Sequence, residues 1–409
     1  MTKSRLKLVY VTDSFPPSLD STSSLNKDTI DLLTLYYETT LVLPVVSGSS
    51  ADKPFSCANE GELYIRYLPI LFPDTRRKSL KILKFVSYAV LSCAYVIFKK
   101  HPRNVYIVHS SPPINIPLFA LLLALRNLFS RRRRRSVAYI HDLYPDIAFP
   151  LFKDSFLARA ALALIGRFYE MSYNSYDLLF CCCPAISNIL SEKYDVPKRN
   201  LAVVHNWSLL NPNGSENFLS DFSESNELNI IAMGNFGLLH LVRPASRALN
   251  LFSGLCGISL NVYARGSHFN RLRDGLLAER SNVILSEFIA LDDLRLVYQA
   301  SRTVTFVSLA SEASSYAFPS RIPSALSMGS PIIFMSDSHS ENGVSQFIQD
   351  NKCGICIGTS ESELVLSHVV QELMGNYALY SSNALSAYRS CMAMSNNLAL
   401  IKDFISSLE

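Results

Sequence analysis

"NIIAMGNFGLLHLVRP", residues 229–244, decides how the fold is read. An apolar run of strand length, Asn229 to Met233, meets Gly234 and Gly237 and is followed by a helical stretch. A strand entering a glycine turn and then a helix is the opening move of a βαβ unit. Glycines at such a turn let backbone N–H groups approach a phosphate, and the dipole of the following helix favours the anion. A plain strand-to-helix connection uses the same residues, and GxxG spacing alone does not separate the two readings.

Working outward, the pattern repeats on both sides. Ahead of it lie "LKLVYVTD" (6–13), a helix near Leu25–Tyr36, "TTLVLPVV" (39–46), "LYIRYLP" (63–69), "NVYIVHS" (104–110), "SVAYIHD" (136–142), "DLLFCCC" (177–183) and "NLAVVHN" (200–206). Behind it come "ISLNVYARG" (258–266), "NVILSEF" (282–288), "RTVTFVSLA" (302–310), "PIIFMS" (331–336) and "CGICIG" (353–358). Continuous apolar runs separated by helical stretches are the signature of parallel strands buried on both faces. The polar stretch 211–228 has the Asn, Ser and Gly content of a connector. The expected fold class is therefore α/β, with two doubly wound Rossmann-like domains facing a central cleft. The expected boundaries are 1–206, a linker over 207–228, a second domain over 229–385 and a C-terminal helix over 386–409. Ligands are expected in the cleft, outside the carboxyl ends of the strands.

Composition narrows the class. A chain of 409 residues is too long for one ordinary core, and its mean hydropathy of +0.17 fits a folded globular protein with an apolar bias. The basic start "MTKSRLKLVYVTDSF" leads into a strand without the apolar core and cleavage site of a secretory leader, so the nine cysteines are read as reduced core thiols of a cytoplasmic protein. Cys353 and Cys356 form a CxxC with no partner pair and are read the same way. The net charge of +4 hides an asymmetry: residues 71–135 hold fourteen Lys or Arg and one acid, Asp74, leaving 24 basic against 33 acidic residues elsewhere. The segment 76–135 is also apolar, which implies an anionic membrane surface as partner rather than a nucleic acid. "ILKFVSYAVLSCAYVIF" (82–98) sits at the lower length limit for a span and is diluted by Ser, Tyr and Cys. A helix lying in the interface, with the protein peripheral on the inner face of the membrane, is the expectation.

Several strand ends carry groups suited to chemistry. Gly266 follows the strand 258–266, and Ser320 and Arg321 open a helix that Gly329 and Pro331 close. Ser320 is expected to cap that helix, and Arg321 to offer a guanidinium fork to phosphate. With Gly234 and Gly237 these make a pyrophosphate cradle out of three helix starts at one sheet edge. In the first half, His141 and Asp142 end a strand, where an imidazole can donate a proton or bind a substrate hydroxyl beside an orienting carboxylate. Equally, Asp142 can cap the next turn and His141 can satisfy a backbone carbonyl. His109 ends another strand, and Asp13 and Asp20 lie on the loop leaving the first; these three are read as facing the acceptor.

"AYIHDLYPD" (138–146), "PAISNILSEKYDVPKRNLAVVHNWS" (184–208), "GNFG" (234–237) and "PSRIPSALSMGSP" (319–331), with "VYVTDSFPPS" (9–18) and "DNKCGICIG" (350–358), resemble in order and spacing the retaining glycosyltransferases of family four with the GT-B fold. The branch that builds bacterial surface polysaccharides is the most similar. The resemblance implies an N-terminal domain that receives a lipid-linked or oligosaccharide acceptor and a C-terminal domain that holds a UDP- or GDP-linked nucleotide sugar, without a required metal or other cofactor. It implies His141 beside the transferred sugar, Gly237 and Arg321 at the diphosphate, and the Phe288 region at the base. Leu238 stands where the family often has a basic residue, for which Arg243 is the substitute one turn on. Tyr316 and Ser324 stand where many members carry glutamates, so Ser324 and Glu312 are the candidates for the ribose. A nucleotide-sugar epimerase of the same architecture and a catalytically silent scaffold of polysaccharide assembly are the rival readings.

Overall fold

The structure is a computed structural model that describes residues 6–16, 21–45, 63–69, 78–98, 104–128, 135–152, 156–215, 227–237, 239–266, 268–276, 280–287, 289–337 and 343–408. The chain divides into two compact units, residues 1–204 with 398–409, and residues 205–397.

The first unit holds a seven-stranded sheet in the order β3-β2-β1-β4-β5-β6-β7. Its strands are β1 (Lys7–Val11), β2 (Glu38–Val45), β3 (Leu63–Pro69), β4 (Asn104–His109), β5 (Arg135–Ile140), β6 (Leu178–Cys181) and β7 (Leu201–Val203), all paired parallel. Its helices are α1 (Ser21–Tyr36), α2 (Lys78–Phe98), α3 (Asn115–Leu128), α4 (Phe156–Tyr173) and α5 (Pro184–Glu192). Every residue of β4 is buried, as a strand covered on both faces requires. Ser21 and Thr22 form the first turn of α1. No helix among the described residues is long and apolar enough to cross a membrane.

The second unit holds a six-stranded parallel sheet in the order β10-β9-β8-β11-β12-β13. These are β8 (Leu228–Asn235), β9 (Ile258–Arg265), β10 (Val283–Ser286), β11 (Thr303–Ser308), β12 (Ile332–Ser336) and β13 (Gly354–Gly358). The helices are α6 (Val242–Ser253), α7 (Phe269–Asp274), α8 (Leu291–Ala300), α9 (Ser311–Tyr316), α10 (Arg321–Ser327), α11 (Gly343–Asp350), α12 (Glu363–Gly375) and α13 (Tyr377–Ala387); α14 (Met394–Ser406) starts in this unit and from residue 398 on belongs to the first. Alternation along the strands sorts the core into two layers. Ile230, Ala232, Leu260, Val262, Val304 and Phe306 face α6 and α12, while Ile231 and Met233 face Leu210, Leu294, Tyr298 and Met328. α6 buries Val242, Ala245, Leu249 and Phe252 at helical spacing, which turns Arg243 and Arg247 outward.

The stretch read as a linker behaves differently along its length. Residues 207–215 pack into the second unit: the Ser208 amide donates to the Tyr388 hydroxyl at 2.9 Å and Asn211 Nδ2 to the Ser327 carbonyl at 2.9 Å. Residues 216–226 lie outside the described residues. At the other end, residues 398–409 return to the first unit, where the Tyr37 and Ser406 hydroxyls are 2.8 Å apart.

The loop after β5 is held by Asp146, which is fully buried and accepts from Lys193 Nζ and the Tyr194 hydroxyl at the end of α5. Lys193 is half exposed and can rehydrate, but Tyr194 cannot. Asp146→Ala is therefore expected to cost about 1–3 kcal/mol, the penalty of one orphaned buried donor. Asp146→Asn, which keeps an acceptor, should cost less; urea unfolding checks both.

Candidate active site

In the second sheet β8 lies between β9 and β11, so the chain reverses its direction of travel across the sheet at the β8–β11 pair. A crevice outside the carboxyl ends of strands at such a reversal is where ligands bind in open α/β sheets. Backbone hydrogen bonds lace the loops there together. The Phe236 amide donates to the Arg265 carbonyl at 2.7 Å, the His268 amide to the Phe236 carbonyl at 3.0 Å, and the Ala310 amide to the Leu239 carbonyl at 3.0 Å. Gly266, at φ +112°, has no room for a side chain: a Cβ would lie 2.0 Å from Asn235 Oδ1. Gly234, at φ +109°, would set a Cβ 3.2 Å from Arg321 Cζ. Gly237 differs, because a Cβ there would meet nothing within 4 Å and its φ is unexceptional. Neither strain nor packing among the described residues calls for a glycine at 237; the open space beside its amide is what the missing side chain provides.

Into this crevice the start of α10 delivers Arg321. Its guanidinium carbon sits 5.6 Å from the Phe236 ring centroid, Nη2 lies 2.8 Å from His240 Nε2, and the buried Nη1 has no hydrogen-bond partner among the described residues. Burial without a compensating carboxylate depresses its pKa to about 10. His240 in turn accepts from the Gly237 amide through Nδ1 at 3.2 Å. Burial first, and the Arg321 charge second, lower its pKa to about 3, so the ring is neutral. A neutral imidazole has one lone pair and one N–H. Here the Gly237 N–H and the Arg321 Nη2–H both point at it, so one of the two contacts sets donor against donor. The single imidazole lone pair satisfies one of these two donors, so the other, together with the Arg321 Nη1–H groups, lacks an acceptor among the described residues. An anion supplies one, and an uncompensated buried charge costs several kcal/mol until it does.

The other residues expected at the site are placed as follows. Ser320 is itself helical (φ −60°, ψ −18°) and makes no side-chain cap, so the expected capping role is corrected: α10 is entered by a turn already in helical conformation. Ser324 turns its hydroxyl back to the Ser320 carbonyl at 3.2 Å. Glu312 is exposed in the first turn of α9, two residues beyond the Ala310 amide that ties β11 to the glycine loop. Arg243 does not join Arg321; it lines a cavity of about 530 Å³ with Arg247 and Arg271 on the α6 side of the sheet. Leu238 and Phe288 lie outside the described residues.

The first sheet reverses between β1 and β4, and the expected residues lie at the carboxyl ends of β1, β4 and β5. The ring of His109 stacks on that of His141 at 4.7 Å between centroids, and His141 stacks on Tyr139 at 4.6 Å. His109 is fully buried, with Nε2 2.9 Å from the Tyr10 hydroxyl, which donates to Asn26 Oδ1 at 2.9 Å; burial, then His141, keeps its pKa well below the ordinary value. It therefore underlies His141 in the stack. The His141 amide donates to Ser110 Oγ at 3.1 Å and its carbonyl accepts from Cys182 Sγ at 3.1 Å, so the backbone of the strand end is pinned from two sides. Asp142 is half-buried, makes no cap to the turn that follows, and burial raises its carboxyl pKa to about 6. Asp13 stands two residues beyond β1, whereas Asp20 lies outside the described residues.

Sequence reasoning missed His240. Its signal was its place in "GNFGLLH", three residues after Gly237, where a ring can fold back onto the glycine amide.

Residues 35–207 match the family model described as Glycosyltransferase Family 4. None of the curated proteins matches the chain by sequence. Among solved structures the chain is similar to WaaG, a glycosyltransferase involved in lipopolysaccharide biosynthesis, at 13% identity and TM-score 0.64 over 97% of this chain and 99% of that one. It is similar to the sucrose-phosphate synthase of Thermosynechococcus elongatus at 12% identity and TM-score 0.67, over 99% of each chain. It is also similar to Anabaena Alr3699/HepE in complex with UDP, at 13% identity and TM-score 0.65 over 98% of this chain and 100% of that one. At these identities the likeness is one of fold, the GT-B fold.

Arg321→Met keeps the stem and removes the buried charge. It is expected to raise the melting temperature of the ligand-free protein by a few degrees, about 1 kcal/mol or more. It should also abolish stabilisation by inorganic pyrophosphate. Differential scanning calorimetry with and without pyrophosphate reads both signs; a destabilised variant would mean the guanidinium serves packing.

Proposed function

From a chain whose residues 35–207 form a Glycosyltransferase Family 4 segment on a GT-B fold, we propose a retaining glycosyltransferase of surface polysaccharide biosynthesis. It moves a sugar from a UDP- or GDP-linked donor to a hydroxyl of a lipid-linked or oligosaccharide acceptor. The observation that carries this reading is the donor surplus around Arg321, His240 and Gly237, which asks for an anion at the carboxyl ends of β8 and β11. The diphosphate of a nucleotide sugar meets that demand. Its negative charge grows as the glycosidic bond to phosphate breaks, so donors already aimed at it stabilise the transition state more than the ground state. A guanidinium can bind two phosphate oxygens at once. These groups supply the positive charge from the chain itself, and the reaction proceeds without a required metal.

In the first unit His141 and Asp142 serve the sugar and the acceptor. The stacked rings hold the imidazole plane, and Asp142, ionised at neutral pH, accepts a hydrogen bond from a hydroxyl of either substrate. The protein works at the cytoplasmic face of the membrane as a peripheral enzyme, a reading supported by the cationic and apolar segment 76–135. An epimerase of the same architecture would release a changed free donor or sugar without any acceptor.

Thermal shift against UDP, GDP, ADP and their sugars is expected to single out one uridine or guanosine diphosphate, with Arg321→Ala weakening it about 10- to 100-fold, the worth of a charge-assisted contact pair. No shift with any nucleotide would overturn the reading. Transfer activity should fall as pH drops through about 6, where Asp142 takes up its proton. Asp142→Asn should lower kcat at neutral pH and lose that acid limb; a pH profile unchanged in the variant would remove Asp142 from the reaction.

A further inference from the structure

Helix α4 (Phe156–Tyr173) is anchored at its C-terminal end and leaves one face exposed along most of its length. Tyr169, Ser172 and Tyr173 are buried, with the Tyr169 hydroxyl donating to the Pro113 carbonyl at 3.0 Å. Before them the helix is nearly all exposed, although its sequence is apolar: Phe156 is 81% exposed, Leu157 80%, Leu164 75% and Met171 72%. Leu157, Ala161, Leu164, Phe168 and Met171 recur at steps of four, three, four and three, so they form one stripe along the helix. Arg159 and Arg167 are exposed on the same helix, whose one acid is Glu170. The apolar surface continues onto the neighbouring α3, where Leu121 and Leu125 are each 44% exposed. A stripe of this extent left in water marks an interaction surface.

Two occupants fit a bare apolar helix, a second copy of this chain or a lipid surface, and charge decides between them. The unit that carries α4 also carries the segment 71–135, with fourteen Lys or Arg against one acid. Pairing two copies through α4 would bring Arg159 and Arg167 of each against those of the other, like charge against like charge. An anionic bilayer reverses the sign of that term. We propose that α4 is the element that seats the first unit on an anionic lipid surface, with Leu157, Leu164, Phe168 and Met171 at the head-group–acyl boundary and Arg159 and Arg167 among the head groups. This rests on the peripheral-membrane part of the proposed function and assigns it to α4 rather than to α2, the helix of residues 82–98.

The test uses the full-length protein and vesicles of phosphatidylcholine, with and without about a third of phosphatidylglycerol. The wild type should co-sediment with the anionic vesicles, and the triple variant Leu157→Ser, Leu164→Ser, Phe168→Ser should bind them at least tenfold more weakly. All three positions are exposed, and circular dichroism verifies the fold. Wild type that binds neither vesicle type would overturn the peripheral reading itself. Wild type that binds while the triple variant binds equally would overturn only the assignment to α4. In a separate variant, Phe168→Trp, emission should shift to the blue on anionic vesicles and be quenched by brominated acyl chains; Trp207, the only native tryptophan, is buried. Emission unchanged by vesicles would overturn the proposal, as would concentration-dependent dimerisation of the wild type that the triple variant loses.

Discussion

Arg321 is the constraint on which the rest of the second unit turns. A guanidinium whose Nη1 is buried and meets no hydrogen-bond partner among the described residues carries a desolvation cost that an anionic ligand would offset. The residues around it fix its position. Gly234 makes room for the guanidinium carbon, the Phe236 ring lies against its face, and His240 is held neutral so that it adds no second charge. A protonated His240 would stand 2.8 Å from Arg321 and push the cation away. The depression of its pKa to about 3 therefore belongs to the design of the cradle: the ring orients the guanidinium and the Gly237 amide without competing for the anion.

The two sheets share a plan. Each places its first strand inside the sheet and crosses to the far side at the fourth strand of its own series, so each has one reversal and one crevice. What fills the crevice differs. The second unit offers N–H donors and a cation. The first offers a stack of rings, His109 on His141 on Tyr139, with a carboxylate whose pKa burial has raised. The stack is built by strand register, because Tyr139 on β5 pairs with His109 at the end of the neighbouring β4, and His141 follows two residues after Tyr139, just past the end of β5.

Much of this was legible in the sequence, for a reason that also explains what was not. All thirteen strands fall where an apolar run was read, since central parallel strands must be apolar on both faces and so announce themselves without a partner. Gly234, Gly237, Gly266 and Arg321 were legible as strand-end punctuation. Relations between distant residues were not. His240 acquires a role only when Arg321, eighty-one positions on, arrives at its Nε2. Asp146 read as the tail of a motif, yet it is the anchor for Lys193 and Tyr194, and that needs α5 in place. Ser320 had the composition of a cap but not its backbone angles. Linear segmentation also hid the return of residues 398–409 to the first unit. The composition of α4 suits an ordinary core helix; only its packing, confined to Tyr169, Ser172 and Tyr173, shows that its apolar face is uncovered.

That charge is distributed so unevenly follows from the tasks proposed for each unit. The leaving diphosphate proposed for the second unit would be met by donors that carry no competing acceptor, and among the described residues no carboxylate shifts the Arg321 pKa. An acceptor hydroxyl about to form a new bond needs the reverse, an acceptor with lone pairs in a dry setting, and Asp142 at a pKa of about 6 is more basic than an ordinary carboxylate while still ionised at neutral pH. Moving Asp142 beside Arg321 would pair the two, return the acid to an ordinary or lower pKa and fill the anion site at once. Holding the cation and the carboxylate on separate sheets, each at its own reversal, keeps both groups poised for a ligand instead of for each other.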